Sequence, residues 1–252
     1  MKFQDKVVLI TGAASGIGRS TALAFARQGA KVVVSDVQTQ GGQETVALIN
    51  EMQQGEALFV PADVSNYEAV IGLIAATVEK FGRLDIAINN AGIGGSQLLK
   101  TAEHTLDDWE RVIAVNQTGV FYCMKKELQQ MVQQGQGCIV NIASMAGLKG
   151  LPNNLAYVAS KHAVVGMTKT AALEYARHNI RINALCPVFT RSPMLDQLFA
   201  AKAGMEEQLK QVIPMKRYAQ PEEMSSAILW LCSEDASFVT GHALPVDGGL
   251  SA

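Results

Sequence analysis

Two side chains with acid–base chemistry, Tyr157 and Lys161, stand four residues apart in a stretch with helical spacing of apolar residues. Residues four apart on a helix lie one turn apart on the same face, so the phenol and the ammonium are predicted to be neighbours. A free phenol has a pKa near 10, which is too high for a base at neutral pH, and lowering it by roughly three units takes about 4 kcal/mol. A nearby positive charge favours the phenolate. We therefore expect Tyr157 to exchange a proton with a substrate hydroxyl or carbonyl oxygen.

A glycine-rich turn near the start of the chain is predicted to bind the pyrophosphate of a dinucleotide. Gly12, Gly16 and Gly18 follow the first predicted strand directly and open the first predicted helix. Glycines in this context allow a tight turn, a close approach of the pyrophosphate to backbone N–H groups, and tight helix–sheet packing. The helix N-terminus adds unpaired N–H donors and a partial positive charge.

An acidic residue at the end of the second predicted strand favours NAD over NADP. Asp36 lies 18 residues after Gly18, and its carboxylate can accept hydrogen bonds from both hydroxyls of the adenosine ribose. It would also repel the 2′-phosphate of NADP, and a like-charge contact at a binding surface costs several kcal/mol. Position 37 is Val and position 15 is Ser, so neither supplies a cationic partner for that phosphate.

Strand and helix patterns alternate along the chain and predict an α/β fold. Short apolar and β-branched runs, typical of strands buried on both faces, occur at 6–11, 31–35, 58–61, 84–89, 138–142, 181–186 and 243–246. Helical spacing of apolar residues occurs between them, for example at 17–28, 68–81, 107–132, 156–177 and 221–232. This alternation predicts a Rossmann-type, doubly wound parallel sheet of about seven strands with helices on both faces.

The chain is predicted to form a single domain over residues 1–252, since neither a linker nor a repeat interrupts the alternation. Within it we expect a cofactor half at about 1–140 and a catalytic and substrate half at about 141–252. A helical lid segment is expected at about 190–213.

Composition narrows the classes of protein that remain. The 252 residues are 48% hydrophobic and 17% charged, which excludes a disordered chain. A net charge of −2 without a basic block argues against a nucleic-acid partner. The sequence shows neither an apolar run of membrane-spanning length nor the apolar core of a signal peptide, so we expect a cytoplasmic protein with no membrane partner. The four cysteines stand far apart, which predicts reduced thiols, and no metal site is expected.

Taken together, the motifs resemble those of the classical short-chain dehydrogenase/reductase family over essentially the whole chain. The matching features are Thr-Gly-x-x-x-Gly-x-Gly at 11–18, Asn89-Asn90-Ala91-Gly92 after the fourth strand, Asn116 within a helix, Ser144 after the fifth strand, and Tyr157-x-x-x-Lys161. The resemblance implies an NAD-dependent oxidoreductase that interconverts a secondary alcohol and its ketone by hydride transfer. It also implies a homotetramer or homodimer in which the helices around Asn116 and Tyr157 pack against their copies, although long apolar helices also suit a monomer core.

The resemblance assigns roles to individual residues. Ser144 should orient the substrate oxygen toward Tyr157, and Lys161 should lower the pKa of Tyr157 and bind the nicotinamide ribose. Asn116 should bend its helix locally and hold a water that relays protons to Lys161. Asp63 and Val64 resemble the adenine contact, and Thr190 the residue that fixes the carboxamide. The full expected set of cofactor-binding residues is Gly12, Ser15, Gly16, Ile17, Gly18, Asp36, Asp63, Val64, Asn90, Ala91, Gly92, Tyr157, Lys161, Pro187, Val188 and Thr190.

One departure from the family pattern falls beside the expected nicotinamide position. The family commonly has Pro-Gly after the sixth strand, where this chain has Pro187-Val188. Valine lacks the freedom of glycine at positive φ and adds a branched apolar wall, so we expect a tighter pocket.

The substrate pocket is expected to be mainly apolar. Its predicted residues are Gly94, Met145, Leu151, Asn154, Phe189, Met194 and Leu195. This composition favours a hydrophobic secondary alcohol or ketone of alicyclic or steroid-like shape. Nearby Lys149, Asn153 and Arg191, however, also suit a polyol or, through the arginine, an acidic group.

Two alternative functions remain. A 3-oxoacyl carrier-protein reductase would prefer NADPH and present a basic docking patch, and Asp36 and the weak basic character argue against both. A catalytically silent dinucleotide sensor would usually have lost the tyrosine or the lysine, and this chain has both.

Overall fold

The protein is described by a computed structural model that covers residues 1–193, 195–196, 199 and 204–252. Within this part of the chain, seven parallel strands form one sheet in the order β3-β2-β1-β4-β5-β6-β7. The strands are β1 (Val7–Thr11), β2 (Lys31–Asp36), β3 (Glu56–Pro61), β4 (Ile86–Asn89), β5 (Gly137–Ile142), β6 (Ile180–Pro187) and β7 (Ala243–Val246). The predicted doubly wound parallel sheet is therefore confirmed.

Helices cover the sheet on both faces. Their bounds are α1 (Gly16–Ala26), α2 (Thr39–Glu51), α3 (Tyr67–Phe81), α4 (Leu106–Ile113), α5 (Gly119–Gln134), α6 (Leu155–Tyr175), α7 (Met205–Val212) and α8 (Pro221–Cys232). A π-helical turn, Ala114–Thr118, joins α4 to α5. None of the described helices is long and apolar enough to cross a membrane.

Successive residues of β1 enter different cores, which explains why its sequence is continuously apolar. All five residues of this strand are buried. Val8 and Ile10 join the core under α1, α2 and α8, whereas Leu9 joins the core under α3, α5 and α6. A parallel strand covered on both faces has no solvent side, so hydrophobic alternation disappears from its sequence.

The strand order places a crevice between the carboxyl ends of β1 and β4. The chain continues from β1 to β2 and β3 on one side of the sheet, and β4 begins the other side. Ligands of open α/β sheets bind where the strand order reverses in this way. The turn after β1 and the segment after β4 both end in this crevice.

The helices differ from the sequence pattern in two places. The predicted helix at 107–132 is divided by the π-helical turn. An additional helix, α2, contains the pair Gly41-Gly42. Glycine is unfavourable in a helix interior, but a Cβ at Gly42 would lie 2.0 Å from Cε2 of the Phe59 ring, so tertiary packing of α2 on β3 requires glycine there.

The predicted lid segment is only partly described. Residues 190–193, 195–196, 199 and 204–213 belong to it, and they include α7. Thr190 and Ala219 form a parallel bridge that ties the start of the segment to the chain beyond it. Met194, which was predicted to line the substrate pocket, lies outside the described residues.

Two glycines within helices, Gly72 of α3 and Gly119 of α5, are expected to respond oppositely to alanine. A Cβ at Gly72 meets nothing within 4 Å, whereas one at Gly119 would lie 2.8 Å from Val64 Cγ2. Gly72→Ala should raise the free energy of unfolding by roughly 0.5–1 kcal/mol, because alanine is the better helix former. Gly119→Ala should lower it by about 1–2 kcal/mol, because overpacking outweighs helix propensity. Urea denaturation measures both changes, and shifts of the same sign would contradict this account.

Candidate active site

The turn after β1 is held against the segment after β4 by backbone contact and side-chain hydrogen bonds. Gly12 has φ +65°, and a Cβ there would lie 2.8 Å from Ala91 Cα. The Asn90 amide donates to the carbonyl oxygens of Thr11 (3.0 Å) and Gly12 (2.9 Å). The Thr11 hydroxyl oxygen accepts from the N–H groups of Asn90 and Ala91, each at 3.1 Å. Glycine is therefore required at position 12 by both conformation and space.

The N-terminus of α1 presents N–H groups that no side chain caps. Ser15 occupies the N-cap position without a side-chain cap hydrogen bond, and the first turn contains no acidic residue. A Cβ at Gly18 would lie 2.2 Å from the Gly12 carbonyl oxygen, so the turn packs tightly on the helix start. Donors at Gly16, Ile17 and Gly18 thus fit an anionic pyrophosphate.

Two carboxylates lie at the same edge of the sheet, one on the last residue of β2 and one shortly after the end of β3. The Asp36 carboxylate accepts from the N–H groups of Ala14 (3.0 Å) and Gln38 (2.9 Å), which fixes it beside the glycine-rich turn. Asp63 is exposed, and its Oδ1 accepts from the N–H and hydroxyl of Ser65. The neighbouring Val64 is buried. The uncapped helix and the anchored Asp36 together form a cradle that fits a dinucleotide whose ribose hydroxyls donate to Asp36.

Tyr157 and Lys161 share one face of α6, as their spacing predicts. Lys161 Nζ lies 5.7 Å from the centroid of the Tyr157 ring. The ammonium donates to the Ile142 carbonyl oxygen at 2.8 Å, at the end of β5. Tyr157 is half-buried, and Lys161 is buried.

Burial controls the acid–base properties of both residues. It raises the pKa of the Tyr157 phenol above its ordinary value, and the hydrogen-bonding Ser144 hydroxyl opposes the rise. The lowered pKa predicted from the sequence rests on the Lys161 ammonium together with a positively charged nicotinamide. The protein's own groups alone give the opposite direction, because desolvation disfavours the phenolate. Burial also lowers the pKa of Lys161 to about 8, against the opposing effect of Cys186.

Ser144 lies two residues after the end of β5, where it caps a short 3₁₀ turn. Its hydroxyl oxygen accepts from the Ala146 N–H at 3.1 Å, in the N-cap manner, and its side chain is half-buried. This bond fixes the Ser144 hydroxyl on the side of Tyr157. Because the hydroxyl oxygen is the acceptor, the bond does not use the hydroxyl proton.

Asn116 lies on the π-helical turn and joins the loop after β4 to α6. Its amide pairs with the backbone of Ile93 in both directions, accepting at 2.8 Å and donating at 2.9 Å. It also donates to Ser160 Oγ at 3.2 Å, and Ser160 in turn donates to the Tyr157 carbonyl oxygen. A Cβ at Gly92 would lie 3.3 Å from Asn116 Oδ1 and 3.4 Å from Lys161 Nζ, so these groups meet at one point.

Ile93, Ile142 and Ser160 were not predicted as parts of the site. The first two contribute backbone groups, which leave no signal in residue type. Ser160 precedes Lys161 directly, but a serine on a helix has many ordinary roles.

Four predicted wall residues of the substrate half converge in one apolar cluster. Met145, Val188 and Leu195 are buried together with Ile213 and Tyr218, and Phe189 packs against them. Val188 does not have a positive φ, so valine is accommodated at this position without strain. The side chain of Thr190, predicted to hold the carboxamide, donates to the Val188 carbonyl oxygen at 2.9 Å, and Pro187 ends β6.

The remaining predicted wall residues lie apart from this cluster. The carbonyl oxygen of Gly94 accepts from Arg111, and a Cβ at the adjacent Gly95 would lie 3.8 Å from Asn154 Oδ1. Leu151 is 39% exposed on the loop before α6. Asn154 therefore borders the loop after β4, whereas Leu151 faces solvent.

No group of three or more potential metal-ligating side chains occurs within the residues that the structure describes.

Comparison with known proteins covers nearly the whole chain. A family model described as enoyl-(acyl carrier protein) reductase matches residues 12–251. The short chain dehydrogenase/reductase astE of Aspergillus oryzae is 44% identical over 98% of this chain and 95% of its own length. Cyclohexanol dehydrogenase of Acinetobacter sp. strain SE19 is 43% identical over 100% of this chain and 97% of its own length.

A solved structure with the same architecture is that of NAD⁺-bound xylitol dehydrogenase. It matches with a TM-score of 0.94 and 37% identity, over 99% of this chain and 100% of that one. The resemblance inferred from the motifs is thus confirmed over the full length: the chain belongs to the short-chain dehydrogenase/reductase family of oxidoreductases.

Proposed function

We propose that the protein is an NAD-dependent oxidoreductase that interconverts a secondary alcohol and its ketone by hydride transfer. The observation that carries the proposal is that Tyr157 has both the Ser144 hydroxyl and the Lys161 ammonium beside it, while Lys161 Nζ also lies next to Gly92, in the segment that packs on the glycine-rich turn. The printed names of two similar proteins, cyclohexanol dehydrogenase and NAD⁺-bound xylitol dehydrogenase, support both the reaction class and the cofactor.

The residues that would hold NAD surround the crevice between β1 and β4. The uncapped N–H groups at Gly16–Gly18 would bind the pyrophosphate, and Asp36 would accept from the adenosine ribose. Asp63 and Val64 would border the adenine, and Asn90, Ala91 and Gly92 would line the crevice floor. Pro187, Val188 and Thr190 would lie beside the nicotinamide, which when bound accepts a hydride from the substrate carbon or returns it.

Tyr157 would transfer the proton. Because burial raises the pKa of its phenol, the hydroxyl is protonated at neutral pH and ready to donate to a carbonyl oxygen. In the oxidising direction it must first lose that proton, which the Lys161 ammonium and a positively charged nicotinamide would favour. With a pKa of about 8, Lys161 remains mostly charged at neutral pH.

Ser144 and Asn116 would orient the reacting groups. The Ser144 hydroxyl proton, which the bond with the Ala146 N–H does not use, would donate to the substrate oxygen and hold it toward Tyr157. Asn116 holds the Ile93 backbone and, through Ser160, the Tyr157 carbonyl. Water held at Asn116 would relay protons to Lys161.

The preferred substrate class is an apolar, alicyclic secondary alcohol or ketone. Met145, Val188 and Leu195 form a buried apolar wall, with Phe189 packed against it. Gly94 and Asn154 would border the opposite side near the loop after β4. A polyol would need several polar partners in the pocket, and the described part of this cluster is apolar.

We further propose an oligomeric, cytoplasmic enzyme, with a homotetramer or homodimer formed through α5 and α6. Large apolar side chains on these helices are exposed, among them Phe121 and Leu173, the latter 84% exposed. All four cysteines are free and buried, which suits a reducing compartment.

The direct test measures NADH formation by absorbance with a panel of alcohols, in parallel with NADP and with calorimetric titration of NAD. Turnover of cyclic secondary alcohols with NAD is expected. Binding of NAD without turnover of any alcohol or ketone would favour a dinucleotide sensor instead.

Replacement of Tyr157 by phenylalanine should separate chemistry from cofactor binding. Tyr157→Phe removes the proton-transferring hydroxyl, so kcat should fall by roughly 10²- to 10⁴-fold. The dissociation constant for NADH should change little, because the ring and Lys161 remain. Tyr175→Phe, on the same helix, is the matched control and should retain activity. An active Tyr157→Phe enzyme would show that another group carries the proton.

Asp36→Asn should weaken discrimination against NADP. The asparagine oxygen can still accept from Ala14, while the negative charge facing a 2′-phosphate is removed. The ratio of kcat/KM for NAD to that for NADP should fall roughly 10- to 100-fold, as expected from relief of a like-charge contact. Glu51→Gln at the exposed end of α2 removes the same charge elsewhere and should leave this ratio unchanged. An unchanged ratio in Asp36→Asn would contradict the proposed ribose contact.

Val188 should limit the size of the substrate. Its side chain also lines a cavity of about 120 Å³ shared with Ile213, Met215 and Met224, so Val188→Gly would enlarge that space. In Val188→Gly, we expect kcat/KM for a two-ring ketone to rise relative to kcat/KM for cyclohexanone. Val188→Ala should give a ratio between that of the wild type and that of Val188→Gly. The ratio compares substrates within one variant, so lost stability does not affect it. Identical size profiles in all three proteins would exclude this role.

A further inference from the structure

A hydrogen-bonded network of buried polar side chains connects four elements beneath the active site. Its members are Glu127 on α5, Asn89 at the end of β4, Asn141 on β5 and Thr168 on α6, each at most 2% exposed. Asn89 and Asn141 lie opposite each other in the sheet register. Each directly precedes a part of the candidate site: Asn89 precedes the segment 90–92, and Asn141 precedes Ile142, the carbonyl partner of Lys161.

The donor and the acceptor in each hydrogen bond of this network follow from the bond that Thr168 makes. The single hydroxyl proton of Thr168 is donated to the Val164 carbonyl oxygen at 2.8 Å. Thr168 Oγ1 must therefore accept from the Asn141 amide nitrogen at 2.9 Å, a group that also approaches Met124 Sδ. The Asn141 oxygen is then left to accept from the Asn89 amide nitrogen at 2.9 Å. The second proton of that nitrogen goes to Glu127 Oε2 at 3.0 Å.

At the other end of this network, two oxygen atoms have no hydrogen-bond partner among the described residues. They are Asn89 Oδ1 and Glu127 Oε1, both fully buried. An unsatisfied buried acceptor is costly, and a buried unpaired carboxylate is more so. The two atoms belong to planar groups that are already joined through Asn89 Nδ2 and Glu127 Oε2. One proton on Glu127 Oε1, donated to Asn89 Oδ1, would satisfy both atoms and close a cyclic acid–amide pair.

We propose that Glu127 is a positioning residue that keeps its proton, and that its carboxylic acid pairs with the Asn89 amide to hold the ends of β4 and β5 in place. The pair does not touch substrate or cofactor. It acts through Asn89 on the segment 90–92, and through Asn141 on the strand end that carries Ile142 and Ser144. Its protonation is independent of the proposed function, whereas its effect on turnover rests on that function.

The surroundings of Glu127 contain no compensating positive charge among the described residues. Asn89, Asn141 and Thr168 face this region from β4, β5 and α6, and all three are uncharged. On its own helix, the thiol of Cys123 lies nearby. Burial raises the pKa of this thiol, and a negative charge on Glu127 would raise it further. Burial raises the pKa of Glu127 to about 8, opposed by the Asn89 hydrogen bond. The acid is therefore protonated at neutral pH, which agrees with the hydrogen-bond accounting.

The pH dependence of stability follows from this protonation. Between the ordinary pKa of about 4.5 and the folded value of about 8, the folded state binds one more proton than the unfolded state. Stability from this group is thus fully present at low pH and is lost as pH rises through that window. Relative to Glu127→Gln, the folding equilibrium constant of the wild type should fall up to about tenfold per pH unit between pH 5 and 8.

Infrared difference spectroscopy tests the protonation directly. At neutral pH the wild type minus Glu127→Gln spectrum should contain the C=O stretch of a protonated carboxylic acid, which carboxylates lack. Glu110→Gln, at an exposed position on α4, is the matched control and should give only a carboxylate difference. Absence of the protonated band in the Glu127 difference would overturn the proposal.

Turnover tests the positioning role. Glutamine reproduces the shape, donor and acceptor of the neutral acid, so Glu127→Gln should retain the turnover of the wild type at neutral pH. Glu127→Ala leaves the Asn89 amide unpaired, and kcat should fall about 10- to 100-fold through misplacement of the strand ends. Should Glu127→Ala fail to fold, the turnover of the Gln variant and the infrared band still decide. A Gln variant whose turnover falls about 10-fold or more at neutral pH would show that the carboxylate is required. Failure of the proposed function would leave the infrared and stability results standing.

Discussion

The close approach of the turn after β1 to the end of β4 is the constraint on which the rest of the site depends. Gly12 packs on the Ala91 backbone, and the Asn90 amide donates to the carbonyl oxygens of Thr11 and Gly12. Because these contacts join backbone to backbone, they fix the direction in which α1 points its uncapped N-terminus into the crevice. They also place Gly92 where its missing side chain leaves room for Asn116 and Lys161. The cofactor cradle and the acid–base groups are therefore positioned by the same few contacts.

Burial sets the acid–base character of this site more strongly than proximity does. Desolvation disfavours both charged forms, raising the pKa of Tyr157 and lowering that of Lys161 to about 8. The result at neutral pH is a neutral phenol beside a charged ammonium held by the Ile142 carbonyl. Such a pair is ready to donate a proton without further change, whereas accepting one needs additional positive charge. The same rule applies to Glu127, which the low-dielectric interior keeps neutral.

The parts of the site that follow from local periodicity could be predicted from the sequence. The spacing of Tyr157 and Lys161 placed them on one helix face, and continuous apolar runs indicated strands covered on both faces. Asp36 was correctly expected at the end of β2, since strand ends at one edge follow from a parallel sheet. The π-helical turn at Asn116 and the pairing of Asn116 with Ile93 could not be derived in this way, because the partner is a backbone group of unremarkable sequence. The rise in the Tyr157 pKa that burial causes was not predictable, because burial of this side chain depends on the completed fold. The predicted lowering by Lys161 together with a positively charged nicotinamide stays a prediction.

The substrate half is less predictable than the cofactor half for a structural reason. A dinucleotide is held largely by backbone groups of one turn and by strand ends, whose positions are fixed by the sheet. The apolar cluster proposed as the substrate wall instead combines Met145, Val188, Leu195 and Ile213, which come from separate segments and meet only through tertiary packing. Leu151 shows the consequence, because an apolar residue in a plausible position lies exposed on its loop. Val188 follows β6 directly, at the strand end proposed to lie beside the nicotinamide, and it also belongs to this apolar cluster. One side chain therefore joins the most predictable part of the site to the least predictable part. Substrate shape in this enzyme should therefore depend on how the chain after β6 packs back onto Val188, rather than on any motif.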